Sequence, residues 1–293
     1  MRKTTLLKKY ILDKEILVMP GAFDSLSAKI IEKIGFKAVT IGGYAFSATI
    51  LGKPDVSLLT LTEMVNYTRQ VVGAVDIPVF ADGDTGHGNV INVQRTVREF
   101  ERAGVAGLFI EDQVFPKRCG HMTGKQVIEV EEMVAKIKAA VDVRTDSDMT
   151  IMARTDALAV FGLDEAINRA NIYREAGADL IFIEAPPKIE DMRRITHEVN
   201  APSVANMIEG GKTPLLSASE LEEIGYSVVV FPLSTIFACA KTVWQVMQTL
   251  YKTGSTEDYL NNMIIFEDFN KVVGLEEIRQ LERHYYSEFF KEH

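Results

Sequence analysis

The sequence predicts a closed (β/α)8 barrel, the TIM-barrel fold, followed by a C-terminal helical extension. Short apolar runs alternate strictly with amphipathic helical patterns through eight strand–helix units, which implies a parallel sheet. Eight such units in 293 residues fit a closed barrel better than an open doubly wound sheet. No repeat, low-complexity tract or Pro/Ser-rich linker divides them, so residues 1–253 read as one barrel domain and 254–293 as the extension.

After a short basic helix, ILVMPGAF reads as the first strand, ending at Pro20-Gly21. A helix with Ala28, Ile31 and Ile34 on one face stops near Gly35. Residues 38–41 form the second strand, broken at Gly42-Gly43. The connection over 44–57 carries Pro54-Asp55 and reads as a functional loop, being too long for a tight turn. A helix over 61–72 leads to strand 79–81, which ends in Asp82-Gly83-Asp84-Thr85-Gly86. A helix over 90–103 feeds the fourth strand, where Leu108, Phe109 and Ile110 follow Gly107 as a run buried on both faces. Helix 130–143 precedes strand 150–153, which ends in Arg154-Thr155-Asp156, and helix 164–176 precedes strand 180–183, which ends in Glu184. Helix 189–199 precedes strand 203–205, ending in Asn206; helix 218–224 precedes strand 228–231, which helix 234–250 follows. The extension carries Phe266, Phe269, Leu275, Ile278, Leu281, Tyr285 and Phe289, too apolar for a disordered tail, so it packs on the barrel or on a partner subunit.

Composition narrows the functional classes. An apolar share of 47% and a charged share of 25% describe an ordinary globular chain with ample core material. A formal charge of −9 without a broad basic patch argues against nucleic acid or an anionic membrane as partner, while leaving room for a local cationic pocket. The two cysteines, Cys119 and Cys239, give no disulfide framework, and the basic N-terminus lacks the apolar stretch of a secretory signal. A reducing cytoplasm is the expected location.

Barrel enzymes place their chemistry at the C-terminal ends of the strands. Those ends read Gly42-Gly43-Tyr44, Asp82/Asp84, Glu111, Arg154, Glu184 and Asn206. Carboxylates converging on one mouth repel unless a cation sits among them, and an all-oxygen set suits Mg²⁺ or Mn²⁺ rather than zinc. Arg154 is a permanent cation able to grip a substrate carboxylate in two-pronged fashion. Each residue also has a bland reading: Asp82 and Asp84 as turn residues beside Gly83 and Gly86, Glu184 and Arg154 as a structural ion pair, His87 as a loop residue. The loop after the fourth strand holds Lys117, Arg118, Cys119, Gly120 and His121, and two cations and an imidazole beside a thiol favour the thiolate. The acidic strand end and the basic cysteine loop meet within a few residues, which favours chemistry over packing.

At this point the residues match a known pattern. MPGAFDSLSA, LGKPD, ADGDTGHGN, GLFIEDQVFPKRCGH, IMARTDA, GADLIFIEAP and PSVAN resemble the isocitrate lyase/phosphoenolpyruvate mutase superfamily, and within it the 2-methylisocitrate lyase and 2,3-dimethylmalate lyase branch. The match runs from about residue 19 to about residue 235, with KRCGH after IEDQ as its most specific segment. The resemblance implies a barrel whose C-terminal helix is exchanged between subunits of a homotetramer. It implies one Mg²⁺ held mostly through waters by Asp55, Asp82, Asp84 and Glu111, with Asp84 the direct ligand. It also implies a small carboxylic-acid substrate, with its carboxylate on the backbone N–H groups of Gly42, Gly43 and Tyr44 and under Arg154. Cys119 would be the proton donor, Gly120 and His121 would hold the second product's carboxylate, and Glu184 and Asn206 would complete the pocket.

The implied reaction is a lyase step that cleaves a 2-hydroxy di- or tricarboxylate to pyruvate plus propionate or succinate. Two departures from the family pattern stand out. Many of its lyases have Ser where Gly42 stands and a Tyr near Thr40; this chain has neither, so Tyr44 is a candidate base. In methylisocitrate lyases Arg-Pro follows CGH, whereas here Met122-Thr123 follow, and losing a cation there tilts the expectation toward the dicarboxylate 2,3-dimethylmalate. The alternatives are a phosphonomutase-type or oxaloacetate-cleaving enzyme within the superfamily, and an inactive ligand-binding barrel outside enzymology.

Overall fold

In the computed structural model, which describes residues 1–120 and 124–286, eight parallel strands form one sheet. They are β1 (Leu17–Ala22), β2 (Val39–Ile41), β3 (Val79–Asp82), β4 (Gly107–Glu111), β5 (Thr150–Thr155), β6 (Leu180–Ile183), β7 (Val204–Asn206) and β8 (Val228–Phe231). The hydrogen-bonded order is β6-β5-β4-β3-β2-β1-β8-β7. The Ile181 amide reaches Pro202 O at 3.0 Å, joining β6 to the chain just before β7 and closing the ring. The predicted (β/α)8 architecture is therefore the observed one.

Strand alternation sorts the core into two layers. Leu17, Met19, Phe80, Phe109, Met152, Phe182, Val228 and Val230 fill the barrel interior, where Leu7 and Ile11 of the N-terminal helix (Lys3–Ile11) join them. Leu108, Ile110, Ile151, Ile181 and Val229 point outward to the helices that precede and follow the strands. Helix ends follow local chemistry. Thr60 and Asn89 cap helices Leu61–Ala74 and Val90–Ala103 through reciprocal bonds with Glu63 and Asn92, each cap worth about 1 kcal/mol.

The connection over 44–57 departs from the expected loop. Gly43–Phe46 winds into one helical turn and Ser47–Leu51 into a π-helical turn, ended by Gly52 in the left-handed region. The cause is tertiary: Phe46 is buried and stacks edge-on against Tyr67 at 4.7 Å, which anchors the winding.

The chain forms two compact units, dividing after Ile236. The division falls near the start of the helix Ser234–Thr253, which the sequence pattern assigned to a barrel domain ending at 253. Within the second unit the helices Phe266–Val273 and Leu275–Tyr286 follow a short 3-10 turn, and Trp244, Tyr251 and Phe266 are exposed. Phe289 lies outside the described residues. Among the described residues no helix is long and apolar enough to cross a membrane.

Candidate active site

The strand ends deliver their polar residues to the mouth of the barrel, as parallel barrels do. Gly42, Gly43, Tyr44, Asp55, Asp82, Lys117, Cys119, Gly120, Arg154, Glu184 and Asn206 line one cavity of about 90 Å³. Phe109, Met152, Phe182, Val204, Val230 and Leu233 supply its apolar part. Of the residues expected from sequence, Asp84 and Glu111 sit against this lining, and His121 lies outside the described residues.

Two cations divide the carboxylates between them. Lys117, buried at 3% side-chain exposure, reaches Asp55 Oδ2 at 2.7 Å and Asp84 Oδ1 at 2.8 Å. Burial pulls its pKa down, but Asp84, Asp82, Asp55 and Glu111 together outweigh that and hold it well above the ordinary lysine value. Arg154 lies across the floor, 3.3 Å from Glu111 Oε2, 2.9 Å from Asp156 Oδ2 and 3.2 Å from Glu184 Oε2. Its guanidinium stacks over Phe182 at 5.2 Å and Phe109 at 5.7 Å. Asn206 Nδ2 donates to both Glu184 oxygens at 3.4 Å.

Asp82 acts as a brace. Its Oδ1 accepts from the Asp84 amide and its Oδ2 from the Gly43 amide, both at 2.8 Å. The Gly43 N–H, expected to face a substrate carboxylate, is thus engaged by β3. Gly83 allows β3 and β4 to meet here, since a Cβ would stand 2.5 Å from Phe109 O.

Among the described residues, the buried oxygens at this mouth that have no hydrogen-bond donor are Asp84 Oδ1, both oxygens of Glu111 and Asn206 Oδ1. Lys117 and Arg154 are near enough to pair in charge but are not aligned to bond. Burial is the main cause that raises both carboxyls, Glu111 well above its usual range and Asp84 up to about 7. Buried carboxylate oxygens that face cations yet accept no aligned hydrogen bond are hard donors of the kind a hydrated divalent cation takes. Among the described residues no group of three or more His, Cys, Asp or Glu side chains is placed to hold a metal ion. What fits a cation here is the chemistry of the oxygens of Asp84 and Glu111, hard donors that suit Mg²⁺ rather than a soft metal.

Tyr44 lines the same cavity, and burial, Cys119 and Asp55 all push the pKa of its hydroxyl up. A raised phenol is a poorer resting base, which weighs against Tyr44 in that role.

Comparison with known proteins fits this geometry. The family model described as phosphoenolpyruvate phosphomutase matches residues 7–251. The chain belongs to that family. Among curated relatives of this phosphoenolpyruvate phosphomutase family member, 2,3-dimethylmalate lyase of Eubacterium barkeri is 48% identical over 95% of this chain and 96% of its own length. The chloroplastic carboxyvinyl-carboxyphosphonate phosphorylmutase of Arabidopsis thaliana is 47% identical, covering 97% and 85%. A 2-methylisocitrate lyase of Aeropyrum pernix is 42% identical, covering 93% and 88%. The first and third of these are, by name, carbon–carbon lyases. A crystal structure of 2,3-dimethylmalate lyase, described as a PEP mutase/isocitrate lyase superfamily member, superposes with a TM-score of 0.92 at 32% identity, covering 97% and 96%. A phosphonopyruvate hydrolase solved with oxalate and Mg²⁺ superposes at 0.88 with 27% identity, covering 97% and 99%.

Sequence reasoning missed two parts of the family member's site. Lys117 was read as a neighbour of the thiol, yet its ammonium is directed into the acidic cluster. Asp156, noted only as a strand-end residue, holds Arg154 in place and pairs with Lys125 Nζ at 2.6 Å. The phrase RTD at a strand end was the available signal for Asp156; nothing local marks a lysine as buried.

Proposed function

We propose that the chain is a Mg²⁺-dependent carbon–carbon lyase that cleaves a 2-hydroxy di- or tricarboxylate to pyruvate and a second carboxylate. The substrate would be 2,3-dimethylmalate or 2-methylisocitrate, the second product propionate or succinate. The observation that carries this reading is one cavity lined by Cys119, Lys117 and Arg154, the two cations being in contact with the buried carboxylates of Asp84 and Glu111. The names of the relatives support the reaction class.

Asp84 and Glu111, braced by Asp82 and with Asp55 nearby, would hold Mg²⁺, or Mn²⁺, largely through water. When bound, the ion supplies Lewis-acid polarisation of the substrate's C2 oxygen. Arg154, fixed from three sides by carboxylates, grips the adjoining carboxylate in a set orientation. The turn at Gly42, Gly43 and Tyr44 lies beside the same group. Phe109, Met152 and Phe182 exclude water and strengthen the electrostatics.

The C2 hydroxyl gives up its proton to a base, C2–O becomes a carbonyl, and the C2–C3 bond breaks with its electron pair passing to C3. The resulting carbanion, delocalised into the neighbouring carboxylate, takes its proton from the Cys119 thiol. Gly120, Glu184 and Asn206 border the space this second product occupies. His121 joins that set from the sequence resemblance.

The exposed apolar residues of the second unit support the homotetramer with exchanged helices that the resemblance implies. The two cysteines without a disulfide framework support a cytoplasmic location.

A lactate-dehydrogenase-coupled assay with Mg²⁺, offering 2,3-dimethylmalate and 2-methylisocitrate side by side, tests the reading. Pyruvate release from either supports it, and preference for dimethylmalate supports the dicarboxylate reading of Met122. Release from neither overturns it and leaves the phosphonomutase-type reaction, the second reading, which the name of the Arabidopsis thaliana relative favours.

A further inference from the structure

Lys125 is a cation that the proposed chemistry does not use. Its side chain is nevertheless 2% exposed, against an Asp156 side chain at 0%. The ammonium donates in two directions, to Asp156 Oδ1 at 2.6 Å and to the backbone oxygen of Gly120 at 2.6 Å. Asp156 in turn accepts from Arg154 Nε at 2.9 Å and Nη2 at 3.3 Å. Its own amide is fixed by Asp112 Oδ1 at 2.9 Å, and Asp112 also accepts from Thr155 Oγ1 at 2.7 Å and Tyr173 Oη at 2.9 Å. The carbonyl next to Cys119 is thereby linked to the substrate-gripping guanidinium through one lysine and one aspartate. Gly120 also meets that guanidinium directly, since a Cβ there would stand 2.5 Å from Arg154 Nη2.

Burying an ammonium is costly even when it is paired, and an apolar side chain of equal volume often leaves a fold as stable. Packing alone would be served by methionine. What the ion pair adds is a fixed geometry between two backbone and side-chain groups that do the chemistry.

We propose that Lys125 is a positioning residue: through Asp156 it sets the Cys119–Gly120 backbone relative to Arg154, so the thiol and the carboxylate grip share one reference point. The kinetic consequence rests on the lyase reading; the structural consequence does not. In Lys125→Met, KM stays within about threefold while kcat falls about 30-fold or more, because Arg154 keeps Asp156, Glu111 and Glu184 and only the thiol loses its register. The structural readout is iodoacetamide alkylation of Cys119, followed by peptide mass spectrometry with Cys239 as the internal reference. The Cys119 to Cys239 ratio rises about fivefold or more in Lys125→Met and returns toward wild type in Lys125→Arg, which keeps a cation and several donors.

An unchanged ratio in folded Lys125→Met overturns the proposal. So does a fall in kcat that comes with an equal rise in KM and is not rescued by Lys125→Arg. Should Lys125→Met fail to fold, Lys125→Gln is read by the same ratio, and no change there overturns the proposal equally. A raised ratio in a protein whose wild type releases no pyruvate keeps the tether and removes the lyase reading.

Discussion

Gly120→Ala is the sharpest test of the site as built. A methyl group at this position would stand 2.5 Å from Arg154 Nη2 and 2.5 Å from both Cδ and Cγ of Glu184. Ordinary contact begins at 3.4 Å, so about 0.9 Å must be opened. Neither neighbour is free to give. Arg154 is held by Glu111, Asp156 and Glu184, and Glu184 is held by Arg154 and Asn206. The Gly120 carbonyl is tied to Lys125, so the loop cannot simply lift. Overpacking of this size costs about 1–3 kcal/mol of stability. A displacement of about 1 Å at a reacting group costs on the order of 100-fold in rate. The expected outcome is therefore a folded protein with modestly lower Tm and kcat for pyruvate release down by about two orders of magnitude. The assay is the coupled release of pyruvate, with a thermal melt in parallel. Turnover within threefold of wild type would refute the claim that Gly120 is pressed against Arg154 and Glu184.

Three further outcomes follow from the same geometry. Cys119→Ser keeps KM in the pyruvate-release assay within a few fold while kcat drops about 10²–10⁴-fold; near wild-type turnover removes Cys119 as proton donor. Burial raises the Asp84 carboxyl to about 7, with Lys117 opposing and Asp82 and Asp55 adding. A carboxyl whose pKa rises on folding favours the folded state at low pH, and that contribution is lost as pH climbs from the usual carboxylate range through about 7. In EDTA the wild type should thus melt lower at pH 8 than at pH 6, and Asp84→Asn should flatten the difference; an unchanged slope in Asp84→Asn contradicts this. Trp244, 69% exposed in the second unit, should serve in subunit association. Trp244→Glu should weaken it at least 30-fold by sedimentation, in keeping with a buried aromatic anchor, and an unaltered distribution of species would rule this out.

The barrel was legible from sequence because its signals are local. Apolar runs of strand length and Gly at helix ends depend on neighbours within a few residues, so helices 90–103, 130–143 and 218–224 fall where the pattern placed them. The strand-end polar residues were legible for the same reason, since a buried run that stops at Glu111 or Arg154 announces where its mouth lies. The segment after Gly43 was not, because burial of Phe46 against Tyr67, residues far apart in sequence, decided its winding.

Composition and periodicity thus determined the closed barrel, and with it that Asp82, Arg154 and Glu184 from the strand ends share one cavity with Cys119. The tertiary structure alone decided how charge is shared there. Lys117 is assigned to Asp55 and Asp84, Arg154 to Asp156 and Glu184, and Asp82 to the Gly43 amide. It also left Asp84 and Glu111 with unsatisfied oxygens. The reason is physical: a charged side chain's partner is whatever the closed barrel brings within about 3 Å, and in a low-dielectric interior that proximity, not sequence spacing, sets its energy.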